Sequence, residues 1–258
     1  MPPLRMWFKK LLFPGLDLHT RCRYHALPVF LKSGDLCSLD AGCGNGALSW
    51  AAYRMGNRVL GLTVSQGEVD RARTFFSWLG TDSLRLTFQR QNLYDLEETQ
   101  YFDQIICSET LEHIQDDRKV VERFYAVLKP GGILHLCAPY ALHPDHALGR
   151  EDRPEDGGHV RDGYTLPRYR ALLEPCGFEI VKTAGFGGPI RVLADHVVRW
   201  VRNTAGDWLA LPFFLILSPL CSLDPADPRV PYSLYVQAVK NAGAASTVPR
   251  ISRSSLIV

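Results

Sequence analysis

The run ICSETLEHI, Ile106 to Ile114, sets two carboxylates and an imidazole close together at Glu109, Glu112 and His113. Their i, i+3, i+4 spacing would crowd all three onto one face of a helix. An imidazole that is neutral near pH 7 can take a proton from an acceptor, so the group could be the working end of an enzyme. The plainer reading is a charged helix start, where glutamates gain from the helix dipole and a histidine simply packs. Which reading holds depends on the elements before and after the run.

Upstream lies LDAGCGNGA, Leu39 to Ala47, after an apolar run and before an amphipathic one. Gly42, Gly44 and Gly46 let the backbone turn sharply and approach a ligand closely, because no Cβ stands in the way. Gly42, Gly44 and Ala47 also satisfy the G-x-G-x-x-A dinucleotide spacing, so spacing alone leaves two cofactor classes open. Asp40 discriminates between them. A carboxylate just before the loop repels a pyrophosphate but suits a cofactor bearing an ammonium and a sulfonium, which points to S-adenosylmethionine.

From about residue 35 to 183, short apolar runs alternate with amphipathic stretches, as in β-α units on a parallel sheet. Strands are expected at Leu36–Leu39, Arg58–Leu62, Leu84–Phe88, Phe102–Cys107, Ile133–Cys137 and Phe178–Lys182, with a final one at Ser233–Val239. Ser65 and Glu68 read as a capping box ahead of a helix whose buried stripe is Val69, Ala72, Phe76 and Leu79, closed by Gly80. A further helix over Asp117–Leu128 should stop at Lys129-Pro130-Gly131-Gly132, and Thr165 with Pro167 opens another.

Three domains of behaviour are expected: an N-terminal arm over 1–34, a catalytic-type domain over 35–240, and a flexible tail over 241–258. Inside the domain, the polar loop 139–163 is too long for a plain connector and is a candidate lid. Its Arg150, Arg153 and Arg161 could grip a phosphate or carboxylate, although lone loop arginines are more often solvated, and His143 and His146 read as surface residues. The apolar insertion 188–228 contains Trp208 to Leu223, sixteen residues without a charge. Two prolines, Pro212 and Pro219, and its short length argue against a membrane span. It reads as a core-packed helical hairpin, with a cap over a lipid-like substrate or a peripheral membrane contact as the alternatives.

The 258 residues are 46% hydrophobic and 22% charged, which suits one substantial globular domain. A net charge of +2, with no basic stripe and no aromatic platform, gives no reason to expect a nucleic-acid partner. Seven scattered cysteines without a C-x-x-C pair, and no export signal in MPPLRMWFKKLLFPG, suggest reduced thiols in a cytoplasmic setting, membrane-associated if the apolar segment touches lipid.

LDAGCGNG, YFDQIICSETLEHI and the LKPGG turn ahead of ILHLCAP, taken in that order, resemble class I S-adenosylmethionine-dependent methyltransferases over about residues 36 to 183. The resemblance implies a Rossmann-like α/β fold: a seven-stranded, mostly parallel sheet with helices on both faces and the last strand antiparallel. It also implies that Asp40, Gly42, Gly44 and Gly46 wrap the methionine and ribose. Asn92 and Leu93 fall where the family contacts adenine. Thr63 stands where most of the family has the acid that holds the ribose hydroxyls. In relatives resembling cyclopropane fatty acid synthases, a residue one helical turn later helps, and Glu68 holds that place. The Glu-x-x-Glu-His pattern resembles ubiquinone-pathway O-methyltransferases and small-RNA 2′-O-methyltransferases. That implies a divalent ion held by Glu109, Glu112, His113 and the distal His159, with Mn, Zn or Co suiting mixed N/O ligands better than Mg. Without an ion, His113 or His159 would be the general base, with Glu112 beside it.

The expected activity is therefore S-adenosylmethionine-dependent methylation, most often at oxygen, of a small-molecule, glycan or lipid-linked acceptor. Two rivals stay open at this point. An NAD(P)-dependent oxidoreductase would share the glycine loop, although Asp40 and the missing ribose acid count against it. A non-catalytic partner subunit that binds the cofactor without turnover would account for Thr63.

Overall fold

The alternating apolar runs do become the strands of one sheet. The computed structural model describes residues 4–97, 100–149 and 153–241. Two helices come first, α1 (Leu4–Leu12) and α2 (Leu18–Ala26). Then follow β1 (Cys37–Ala41), α3 (Ala47–Arg54), β2 (Arg58–Thr63), α4 (Gln66–Trp78), β3 (Leu86–Arg90) and β4 (Phe102–Ser108). The chain continues through α5 (Asp117–Val127), β5 (Leu128–Pro139), α6 (Leu166–Leu173) and β6 (Phe178–Phe186). A helical hairpin, α7 (Pro189–Ala205) and α8 (Asp207–Leu220), precedes β7 (Ser233–Lys240).

Across the sheet the order is β3-β2-β1-β4-β5-β7-β6. Strands β1 to β5 pair in parallel, whereas β7 is antiparallel to both β5 and β6. The Rossmann-like arrangement with an antiparallel last strand is thus present. Central strands are apolar on both faces because both are covered. Ile105 and Cys107 pack beneath α5 and α6 with Val120, Phe124 and Tyr169. Ile106 and Cys137 face the other way, toward Val69, Phe75 and Phe76 of α4. Each such side chain contributes about 1.5–3 kcal/mol by leaving water.

Local boundaries differ from the sequence reading in a few places. Leu84 is 87% exposed and lies outside β3: the Asp82 carboxylate accepts from its N–H at 2.8 Å and sets a turn there. On α4 the buried stripe includes Phe75, and Leu79 at the helix end is only partly covered. The LKPGG segment joins the β5 ladder early instead of preceding it, with a register irregularity between Phe102 and Gln104 absorbing the mismatch. Thr165 does cap α6, accepting from Arg168 N–H at 3.4 Å. The tail beyond Asn241, and Arg150, lie outside the described residues.

Parallel strands bring their carboxyl ends to one rim. Register pairs Ala41 with Leu62, Ser108 with Cys137, and both Pro139 and Phe186 with Ser233. Open α/β sheets place their ligands along this edge. The α7–α8 hairpin leaves the rim after β6 and returns to it before β7. Trp208–Leu223, expected as a core-packed helical hairpin, is instead one helix, α8, continued through Pro212 and Pro219 into a short 3-10 turn. The hairpin is the one α8 makes with α7, and it is not core-packed. Of α8, Ala210 and Phe214 are buried, against a small separate cluster with Leu18, Ala194 and Val198, while most of its other side chains face outward. Among the described residues, no helix is long and apolar enough to cross a membrane.

Candidate active site

The glycine loop turns on three left-handed residues, Gly42, Gly44 and Gly46, with φ of 81°, 50° and 77°. They do different work. A Cβ on Gly42 would stand 2.2 Å from Thr110 Oγ1, and one on Gly46 would stand 2.6 Å from the Phe76 ring. A Cβ on Gly44 would meet nothing within 4 Å. Gly44 is therefore where the backbone lies open to a ligand, and Gly42 is where the loop presses against the turn after β4. Asp40, at the end of β1, is buried and accepts from the Ser49 hydroxyl at 2.5 Å. Burial pushes its carboxyl up to about 6, against the opposing pull of that hydrogen bond.

At the end of β2 the Thr63 hydroxyl donates to Glu68 Oε2 at 2.6 Å, and Ser65 N–H donates to Thr63 Oγ1 at 3.2 Å. Ser65 Oγ accepts from Glu68 N–H at 3.4 Å. Half of the capping box forms, and the other half is replaced: Glu68 turns its carboxylate to the strand end instead of back to Ser65. Asn92 caps the short 3-10 turn Leu93–Asp95, its side-chain oxygen accepting from Tyr94 N–H at 3.1 Å. That oxygen keeps a second lone pair. Leu93 is buried in the main core.

Glu109, Glu112 and His113 do not share one helix face. Glu109 adopts φ 53°, an uncommon left-handed conformation for glutamate, pinned by its N–H donating to Cys137 O at 2.7 Å. Leu111–His113 form a 3-10 turn, and α5 begins only at Asp117. The kink separates the carboxylates. Glu109 accepts from the Ser233 hydroxyl at 3.1 Å and lies 3.6 Å from Arg23 Nη1. Glu112 is fully buried, and among the described residues neither of its oxygens has a hydrogen-bond partner. Burial, reinforced by Glu109, holds the Glu112 carboxyl well above the usual range, while Arg23 and Arg161 pull the other way.

The chain brings Glu112, His113 and His159 together, with one potential ligand atom from each lying within 4.8 Å of the others. Glu109 is not part of that cluster. The His113 and His159 rings meet edge-on at 4.6 Å. His113 Nδ1 lies 3.0 Å from Gly158 O, and a carbonyl can only accept, so Nδ1 carries a hydrogen and, in the neutral ring, Nε2 presents the lone pair. Nε2 lies 3.9 Å from Glu112 Oε1. A buried carboxyl group whose oxygens have no hydrogen-bond partner among the described residues, beside two imidazoles, is a donor set that fits a divalent cation. The cation's charge would favour the ionised form that burial alone disfavours.

Arg161 is not a solvated loop arginine. It is buried, and its guanidinium donates to the carbonyls of Leu111, Ile114 and Gln115 while pairing with Asp117 at 2.9 Å. It thereby staples the polar loop to the turn that carries Glu112. Arg153 has an exposed side chain. His143 and His146 are buried, not superficial, because the loop folds back on Tyr232.

Several contributors carried no signal in the sequence. Helix α2 delivers Arg23 to Glu109, and its His19 stacks on Tyr232 with ring centres 3.4 Å apart. Burial pushes His19 down to about 2 and His146 to about 4, so both rings are neutral near pH 7. Asn45, in the glycine loop, donates to Pro14 O at 2.9 Å. The N-terminal arm is therefore one wall of the site.

Residues 39–136 match the model of a methyltransferase domain. Among similar proteins, a ubiquinone biosynthesis O-methyltransferase of Coxiella burnetii is 34% identical over 115 residues, 44% of this chain and 47% of that protein. The chain spans about half the length of the curated relatives it matches. A Mesorhizobium loti S-adenosylmethionine-dependent methyltransferase superposes with a TM-score of 0.59 at 22% identity, covering 86% of this chain and 99% of that one. Phosphoethanolamine N-methyltransferase 2 of Haemonchus contortus, in complex with S-adenosyl-L-methionine, gives 0.61 at 17% identity over 92% of this chain and 56% of that one. These likenesses join the strand order and the glycine loop over a buried acid. Residues 39–136 are thus similar to a methyltransferase domain, and the chain carries the Rossmann-like methyltransferase fold.

Proposed function

We propose that the chain is an S-adenosylmethionine-dependent methyltransferase acting on a hydroxyl of a small-molecule, glycan or lipid-linked acceptor. The observation that carries this reading is the contact between Gly42 and Thr110, which places the cofactor loop against the turn bearing Glu112 and His113. A methyl donor on the loop and a proton acceptor on the turn would then be neighbours, which is the alignment such a transfer needs.

When bound, S-adenosylmethionine supplies a methyl group already activated by its sulfonium. Gly44 offers the open backbone for its approach, and Glu68, oriented by Thr63, supplies the carboxylate for the ribose hydroxyls. Asn92 stands at the adenine end. His113, through Nε2, takes the proton of the acceptor hydroxyl, with Glu112 and His159 completing the cluster. A divalent cation held by Glu112, His113 and His159 would lower the pKa of that hydroxyl. Glu109, outside the cluster, fixes Arg23 and Ser233 at the rim. The seven cysteines are free thiols, which supports a reducing, cytoplasmic setting.

The oxidoreductase alternative is not favoured. Asp40 lies under the loop where a diphosphate would sit, and the matching domain is a methyltransferase domain. The test is calorimetry with S-adenosylhomocysteine, followed by detection of that product from S-adenosylmethionine across a panel of phenolic, glycan and polyprenyl acceptors. Binding with turnover supports the reading. Binding without turnover on any acceptor would favour the non-catalytic subunit, and no binding would remove both.

A further inference from the structure

We propose that α1 and α8 form a platform that docks the protein on an anionic lipid bilayer, with α7 holding the platform to the rim of the sheet. That the docked rim faces a membrane-borne acceptor rests on the methyltransferase reading; the docking itself does not.

Helix α8 presents Trp208, Leu209, Phe213, Leu215, Ile216 and Leu220 outward, each 45% exposed or more. From Trp208 to Leu223 there is no charge, and Asp207, just before, is paired with Arg202 Nε at 2.9 Å. Helix α1 continues the surface: Phe8 meets Trp208 edge-on at 5.4 Å, and Trp7 and Leu11 are exposed beside it. A contiguous apolar face of this kind marks an interaction site, because monomers in water seldom leave one open.

Three features select the bilayer as occupant. At 14 residues α8 is about 21 Å long at 1.5 Å per residue, and Pro212 and Pro219 interrupt it, so it suits lying in an interface better than crossing one. Trp7 and Trp208 put two exposed indoles on this face, and such side chains favour headgroup depth in a bilayer. A cation borders the same face: Lys10 is exposed with its Nζ over the Trp7 ring at 5.4 Å, and α1 carries no acid, whereas Lys9 turns the other way, over the buried Phe75 ring. Anionic headgroups complement that margin. A second copy would complement it poorly, since α1 and Trp208–Leu223 offer no acid to receive Lys10, and Asp207 at the start of α8 is already paired with Arg202.

The hairpin also couples the platform to the site. Asp195 of α7 accepts from Leu18 N–H at 3.0 Å, Arg191 donates to Leu18 O at 3.2 Å, and His196 lies 2.9 Å from Asp145 of the polar loop. Arg21 stacks over Phe214 at 5.0 Å. Helix α2 and the polar loop, both walls of the site, are thus fixed to the helices that would rest on lipid.

The test is co-sedimentation of the full chain with phosphatidylglycerol–phosphatidylcholine vesicles and with phosphatidylcholine vesicles alone. The full chain should partition into the mixed vesicles and more weakly into the neutral ones. Ile216→Glu and Lys10→Glu should each weaken that partition, the first by about tenfold or more. Indole emission of the unsubstituted chain should shift to the blue and be quenched by bromine-labelled acyl chains, a readout that needs no variant to fold. No partition and no quenching would overturn the proposal. So would a dimer that Ile216→Glu dissociates while vesicle binding is unchanged, since the face would then be a subunit interface. Calorimetry with S-adenosylhomocysteine, run without lipid, separates the two readings. Lost vesicle binding with retained nucleoside binding removes the platform alone, and the converse removes the methyltransferase reading alone.

Discussion

Thr63 and Glu68 act as one group: the threonine hydroxyl donates to the glutamate carboxylate at 2.6 Å and draws it to the end of β2. A strand-end acid is absent from the sequence there, yet a carboxylate occupies the region through one turn of α4. Replacing Glu68 by Gln keeps the shape and removes the charge. We expect S-adenosylhomocysteine to bind about 10- to 100-fold more weakly, since hydrogen bonds to a charged group are worth about 1.5–3 kcal/mol. Titration calorimetry reads this directly; an unchanged affinity would place the ribose elsewhere.

Gly42 and Gly44 predict opposite kinds of damage. Gly42→Ala drives a methyl into Thr110 and strains a left-handed residue, so it should destabilise the fold by about 1–3 kcal/mol and displace the Glu112 turn. Gly44→Ala meets no neighbour and costs the fold only about 1 kcal/mol of left-handed strain. Its penalty should appear in cofactor affinity. Thermal unfolding beside calorimetry distinguishes the two, and equal melting temperatures for both variants would contradict the packing argument.

These two cases show which parts of the site could be read from the sequence. The glycine loop, Asp40 and the Ser65 cap are local chemistry, legible from residue type and spacing. Glu109's backbone is not, because φ 53° is a conformation that glutamate itself does not favour and that the Cys137 carbonyl imposes. The helical expectation for Glu109–His113 failed there. Arg23, His19 and Tyr232 reach the site from segments far away in the chain, and no local period announces them. Helix α8 misleads for a different reason: an uncharged run reads as core, and only the hairpin's packing shows that one stripe of it is covered.

The cluster of Glu112, His113 and His159 predicts metal dependence. Mn²⁺ should bind the chain with one site, and a chelator should lower methyl transfer in a way that added Mn²⁺ reverses. His159→Ala should weaken Mn²⁺ binding by about tenfold or more while leaving S-adenosylhomocysteine affinity within about twofold. Glu109→Gln, outside the cluster, should bind Mn²⁺ much as the parent chain does. Indifference to both chelator and Mn²⁺ would leave His113 as an unaided base.

His135 predicts part of the acid sensitivity. The ring is buried between the Tyr235 hydroxyl at 2.8 Å and Gln104 Oε1 at 3.2 Å, and burial pushes its pKa from 6.5 down to about 3. The unfolded chain takes a proton below pH 6.5 that the folded chain refuses. Stability from this group is complete above pH 6.5 and falls as the pH drops toward 3, by about 2 kcal/mol at pH 5. Asp40 runs the other way: raised from 3.8 to about 6, it costs stability above pH 6, and that cost is relieved as the pH falls toward 3.8. In His135→Gln the Asp40 contribution is unchanged, so denaturant melts between pH 7 and pH 5 should show a loss smaller by about 2 kcal/mol. An identical pH dependence would mean that the ring is already hydrated.

The central claim is that the glycine loop, with Asp40 beneath it and Glu68 beside it, holds a sulfonium nucleoside and not a dinucleotide. Titration calorimetry of the full chain with S-adenosylhomocysteine, S-adenosylmethionine and NADH tests it most directly. The account predicts saturable binding of the first two, weakened in Glu68→Gln, and no heat above dilution from NADH. Binding of NADH with no response to either sulfur nucleoside would contradict it.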